Sequence, residues 1–164
     1  MLKNLISAGL NSLEMGLDSA VSFVHDGNRR AGGFEKITQV VGWAKRTGLT
    51  VILNTVSTHE KIKNGDLLAL YKLAKAKGIY LQITPPCVTG GWKNKTEILL
   101  NGEETAYFWW LMSFSGVRTD MYSSLTTTRC PAVREKIGLH PYGDIVSCPL
   151  IQIVYGNIKN DSLK

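Results

Sequence analysis

The chain has little of what would place it in a membrane, outside a reducing compartment or on nucleic acid. Its longest apolar run, Tyr107-Phe108-Trp109-Trp110-Leu111-Met112, is far short of the roughly 20 residues a membrane helix needs. Residues 2–17 are interrupted by Lys3, Asn4, Gly9, Asn11 and Glu14, so they do not read as a secretory signal. The cysteines number three, an odd count that argues against a disulfide framework. With no signal and no such framework, the expected location is the cytoplasm, where spaced thiols more often mean metal or catalysis. The formal charge is +6, but the basic residues are scattered and do not alternate with aromatics. They read as a solvated surface rather than a nucleic-acid face. Gly32-Gly33 and Gly90-Gly91 do not make a phosphate-binding fingerprint. His25 and His59 have no Ser or Cys partner at a hydrolase spacing.

What is present is a rhythm. With 164 residues, 44% hydrophobic and 20% charged, the chain can bury a core of ordinary size. Gly9, Gly48 and Gly78 each close a helical stretch and are followed by an apolar strand. Glycine at the residue after a helix takes the left-handed conformation without a Cβ penalty. Before Gly48, Phe34, Ile37, Val40, Val41 and Ala44 share one helical face. Before Gly78, Leu67, Leu70, Tyr71 and Ala74 do so, with Asp66 placed as the N-cap. The strands fall at 10–17, 49–56 and 79–84. Val51-Ile52-Leu53 is continuously apolar, as in a strand covered on both faces. Crossovers of this length demand parallel pairing, hence an α/β class, either part of a barrel or a doubly wound sheet. The helices at 34–47 and 67–77 are expected on one side of that sheet.

Beyond Pro85-Pro86 the rhythm changes. Asn101, with Glu103 and Glu104 behind it, opens a helix whose aromatic face includes Tyr107, Phe108 and Trp110; this face reads as core packing. Short strands are expected at 137–140, 145–147 and 151–154. The boundary between the two parts is drawn at residues 1–117 and 118–164.

In parallel α/β folds ligands bind at the carboxyl ends of the strands. Those ends here carry Gly16-Leu17-Asp18-Ser19, then Asn54-Thr55, then Thr84-Pro85-Pro86-Cys87. Asn54 is either a ligand contact or a polar group satisfying nearby backbone. Cys87 reads as a small buried thiol. Asp18 reads as orienting the loop after its strand. Cys130 and Cys148 flank a Tyr142-Gly143-Asp144 turn, with proline after each cysteine and Gly156-Asn157-Ile158 following. Zinc, with His140 as a third ligand, is a competing reading for these thiols, although the spacing fits no common finger.

Two groups of motifs resemble one family. Cys130-Pro131, then Pro141-Tyr142-Gly143-Asp144 and Cys148-Pro149, resemble the start of the auxiliary iron–sulfur region (SPASM or twitch domain) of radical S-adenosylmethionine enzymes. Gly16-Leu17-Asp18-Ser19, His25-Asp26, Arg29-Arg30 and Gly32-Gly33-Phe34 resemble that family's fourth barrel strand and the helix after it. Leu53 to Thr58 is similar to the fifth strand and residues 79–84 to the sixth. Gly16 stands where the family often carries Ser.

The resemblance implies a partial TIM-type barrel followed by a small SPASM-like β-hairpin region. It implies 4Fe–4S clusters and S-adenosylmethionine as cofactors of the intact parent. Arg30 and Asn54 would face S-adenosylmethionine, and Cys130 and Cys148 would supply two of the thiolates that hold an auxiliary cluster. Peptides or cofactor precursors are the substrate classes it suggests. The catalytic Cys-x-x-x-Cys-x-x-Cys loop of that family is absent from these 164 residues. The expectation is therefore a truncated protein, inactive alone, with an exposed strand edge that invites self-association. The alternative is a non-catalytic α/β binding or assembly module.

Overall fold

The computed structural model describes residues 2–121, 137–148 and 151–161. Its contacts divide the chain into two compact units, Met1–Pro86 with Ile98–Asp120, and Cys87–Glu97 with Met121–Lys164.

The first unit is built on a parallel sheet. Its elements run α1 (Leu2–Ser7), β1 (Ser12–Gly16), α2 (Ser22–Asn28), α3 (Gly33–Arg46), β2 (Thr50–Val56), α4 (His59–Lys63), α5 (Asp66–Lys77), β3 (Tyr80–Thr84), α6 (Gly102–Met112) and β4 (Val117–Arg118). The strand order is β1-β2-β3-β4, with every neighbouring pair parallel. Among the described residues β1 is paired only with β2, and nothing closes the sheet into a barrel. The three long strands are each one to three residues shorter than the sequence suggests, and α2 and α4 are additional short helices.

Strand alternation gives the sheet two different faces. Val51 and Leu53 of β2 and Leu81 and Ile83 of β3 are buried in one cluster with Val41 and Ala44 of α3, Leu67, Leu70 and Ala74 of α5, and Phe108 and Leu111 of α6. All three long helices therefore cover the same face. The opposite face carries Glu14, Asn54, Gln82 and Arg118, joined by hydrogen bonds. In register, Gly16, Asn54, Gln82 and Arg118 form one row across the four strands.

The helix ends follow local chemistry, with one correction. Gly48 and Gly78 sit at φ 78° and 61° after α3 and α5, as the stop signals require. Asn101 and Glu104 form a reciprocal capping box on α6. Asp66 is not an N-cap: Gly65 at φ 77° holds that position. The buried Asp66 carboxylate instead reaches back to the loop after β1, where its Oδ1 accepts from Ser19 Oγ and the Ala20 N–H, each at 3.0 Å. On α6 the packing face is Phe108 and Leu111, while Trp110 is 46% exposed and meets Tyr107 at a tilt and Phe114 edge to face. Two aromatics one and two residues apart cannot both point where Phe108 points on a helix.

The second unit contains a three-stranded antiparallel sheet, β5 (Gly138–Leu139), β6 (Asp144–Cys148) and β7 (Ile151–Asn157). The β5–β6 turn closes with the Gly143 N–H donating to His140 O and the His140 N–H to Asp144 O. Gly143 has φ 96°, and a Cβ there would stand 2.9 Å from Asn157 Oδ1. Asn157 ties the unit together: Nδ2 donates to Tyr142 O and Asp144 Oδ1, and Oδ1 accepts from the Lys159 N–H.

Candidate functional site

A cleft of about 340 Å³ opens at the carboxyl ends of β1 and β2, lined by Glu14, Gly16, Asp18, Arg29, Asn54, Thr55 and Val56. Its volume is at the low end of the range for small-molecule pockets. The segment between β1 and α3 contributes Asp18 and Arg29 to its wall, and several residues of that segment have structural tasks. The buried His25 accepts the Asp18 N–H at Nδ1, 3.1 Å away, which leaves its ring proton on Nε2. Asp26 caps α3 from outside the helix, its two oxygens accepting from the Gly32 and Phe34 N–H groups. These bonds, the one from Phe34 foremost, hold the Asp26 carboxyl below its ordinary value. Gly32 supplies the left-handed turn at φ 72°. Gly33 has little room for a Cβ, which would lie 3.3 Å from His25 Nε2.

This scaffold fixes an ion pair at the cleft. Arg29 grips Asp18 with two bonds, Nε to Oδ2 at 2.7 Å and Nη2 to Oδ1 at 3.1 Å. Gly16 lets the guanidinium lie close to the strand end: a Cβ there would stand 3.2 Å from Arg29 Nη2, so the side chain would have to give by a few tenths of an ångström. The Arg29 side chain is more than half exposed, so the pair adds little stability; its value is positional. Arg29 Nη1 has no acceptor among the described residues.

The hydrogen-bonded Arg29 guanidinium holds the Asp18 carboxyl below its ordinary value of 3.8, against partial burial that pushes it up. The contribution of this pair is therefore complete above that value and is lost as pH falls through the lower, folded value. The Arg29 Nε–Hε resonance is expected to stay constant from about pH 7 to about pH 5 and to move only below the ordinary carboxylate range. Movement centred at or above the ordinary value of 3.8 would show that the pair does not form.

A lysine the sequence did not single out stands behind the wall. Lys61 of α4 donates from Nζ to Thr55 Oγ1 at 2.8 Å. Burial lowers its pKa, while the charges of Asp18 and Asp66 oppose that shift. It supplies positive charge between two acidic side chains that both hold the loop after β1. His59 Nδ1 of α4 lies 2.7 Å from the carboxylate of Glu104 on α6. The Asn101 N–H, then His59, hold Glu104 below its ordinary value.

Of the residues the sequence nominated, Asn54 lies in the cleft. Its Nδ2 donates to Glu14 Oε1 at 2.6 Å, and its Oδ1 has no donor among the described residues. Arg30 is exposed and is not among the cleft residues; its neighbour Arg29 is. Asp18, expected to orient the loop after its strand, pairs its carboxylate with Arg29 and donates its N–H to His25. Cys148 ends β6 and is partly buried, whereas Cys130 lies outside the described residues. The separation of these two thiols is therefore not part of the described structure. Cys87 is partly buried and lies 3.8 Å from Met121 Sδ. Among the described residues no three His, Cys, Asp or Glu side chains are grouped to hold a metal ion, and no helix is long and apolar enough to cross a membrane.

No protein-family model matches the chain, and no curated protein matches it.

Proposed function

We propose that the cleft at the ends of β1 and β2 binds S-adenosylmethionine, and that the chain is part of a radical S-adenosylmethionine enzyme with a SPASM-type or twitch-type region. The observation that carries this reading is the cleft itself. Asp18, Arg29 and Asn54, from the segments that resemble the family, line one concave site at the strand ends. Arg29 Nη1 suits the ligand's carboxylate, and Asn54 Oδ1 can accept from a ribose hydroxyl or an ammonium. Asp18 holds the guanidinium in place, and Gly16 leaves it room.

The cofactor chemistry of that family is cleavage of S-adenosylmethionine by a reduced 4Fe–4S cluster to a radical that abstracts hydrogen from substrate. These 164 residues contain no Cys-x-x-x-Cys-x-x-Cys loop, so the catalytic cluster has to come from other polypeptide. Of the two cysteines proposed for an auxiliary cluster, Cys148 alone is described. What this chain's described residues do in the reading is bind and orient. The proposal extends to the unpaired edge of β1, where a further strand, from a second copy or a partner, would add to the sheet.

Calorimetric titration with S-adenosylhomocysteine tests the reading. One saturable site is expected. Arg29→Ala removes a charge-assisted contact and is expected to weaken it by roughly tenfold or more. Asn54→Ala is expected to weaken it less. No heat of binding by the folded wild-type chain would leave the non-catalytic module as the account.

A further inference from the structure

The open face of the sheet holds a second polar arrangement, deeper along the strands than the Asp18–Arg29 pair. A parallel sheet usually carries apolar residues on both faces, and Glu14 and Gln82 interrupt Leu13-x-Met15 and Leu81-x-Ile83. Gln82 is 3% exposed, and both ends of its amide are committed. Nε2 donates to Glu14 Oε1 at 3.0 Å, and Oε1 accepts from Arg118 Nε at 2.8 Å. Asn54 Nδ2 donates to the same Glu14 oxygen. Residues from four strands thus hold one carboxylate and one guanidinium in place.

What they leave without hydrogen bonds is a loose, part-exposed ion pair between Glu14 and Arg118. Glu14 Oε2 accepts no hydrogen bond among the described residues. Its distance to Arg118 Nη2 is 3.8 Å, beyond hydrogen-bond reach. The two terminal nitrogens of Arg118 likewise have no hydrogen-bond acceptor among the described residues, and about half of each side chain is exposed. An open carboxylate oxygen therefore stands beside an open guanidinium edge, at a separation close to that between the ammonium and carboxylate of an α-amino acid. A phosphate dianion fits less well, because Glu14 would repel its second charge.

We infer that Glu14 and Arg118, oriented by Gln82 and Asn54, form a binding subsite for a zwitterionic α-amino-carboxylate group. Arg118 takes the carboxylate through its planar fork, and Glu14 takes the ammonium. The inference does not rest on the cofactor reading.

The test is a nuclear magnetic resonance titration of the whole chain, following the Arg118 Nε–Hε resonance at fixed ionic strength with L-alanine, acetate or ethylammonium chloride. L-alanine is expected to shift it saturably, about fivefold tighter than either single-charge probe. Glu14→Gln is expected to reduce L-alanine to the affinity of acetate. If that variant does not fold, the wild-type comparison of the three probes decides alone. Acetate binding as tightly as L-alanine, or L-alanine producing no saturable shift, would overturn the inference. With S-adenosylhomocysteine present, a retained L-alanine shift supports a separate amino-acid substrate. Displacement supports an amino-acid subsite that overlaps the cofactor within the one cleft that Glu14 and Asn54 also line. L-alanine binding without S-adenosylhomocysteine binding would sink the cofactor reading and leave this one standing.

Discussion

Leu53→Ala is expected to lower the unfolding free energy by about 2–5 kcal/mol, measured by urea denaturation. Leu53 lies in the inner strand β2 and is 1% exposed, packed in one cluster with Val41, Ala44, Leu70 and Leu81. The sheet above it is hydrogen-bonded on both sides, to β1 and to β3, so the backbone cannot sink to fill the space. The loss then combines the transfer free energy of the missing methyl groups with a cavity term. A midpoint change equivalent to less than about 1 kcal/mol would mean that the helices do not pack on this face as described.

Asp66→Ala is expected to cost about 2–4 kcal/mol, chiefly by leaving donors without acceptors. Ser19 Oγ is almost wholly buried and donates to the Asp66 carboxylate, as does the Ala20 N–H. Ser19 is shielded from water that could replace the carboxylate, while the Ala20 N–H is part-buried. Ser19 in turn accepts the Val21 N–H, so the disturbance runs through the whole loop after β1. That loop presents Asp18, and the variant is therefore also expected to weaken S-adenosylhomocysteine binding. The loss of affinity should exceed that of Leu53→Ala, measured under conditions where both variants are folded. Equal losses would show that Asp66 acts through global stability alone.

Three of the four strands of the parallel sheet were legible in the sequence because two local signals agreed at each, whereas β4, only two residues long, was not expected. An apolar run marked each of those three strands, and a glycine able to take positive φ marked each preceding helix end. The capping box at Asn101 and Glu104 was legible for the same reason: both of its partners lie within one turn. Signals that depend on tertiary partners were not. Asp66 at the start of a helix has the composition of an N-cap, and only the fold shows that Gly65 takes that role while Asp66 bonds a loop 46 residues earlier. The short helix α2 has no apolar stripe to reveal it, and its Phe23 is 78% exposed.

The candidate site divides in the same way. Asp18 and Asn54 follow from their place at strand ends. The choice between Arg29 and Arg30 depends on how α2 ends, which periodicity does not report. Glu14, Gln82 and Arg118 come from three strands, and their meeting depends on register. A cue was present in the single polar residue set inside Leu13-x-Met15 and Leu81-x-Ile83. It marks a face that has to satisfy buried polar groups, but it does not say with which partners.

The central claim is that the cleft at the ends of β1 and β2 takes S-adenosylmethionine. Amide chemical-shift mapping of the labelled chain with S-adenosylhomocysteine tests it most directly. The account predicts that the largest shifts at saturation fall on Leu17, Asp18, Arg29, Asn54 and Thr55, with small changes in β5, β6 and β7. The absence of any saturable shift, or the largest shifts lying in the antiparallel sheet, would contradict it.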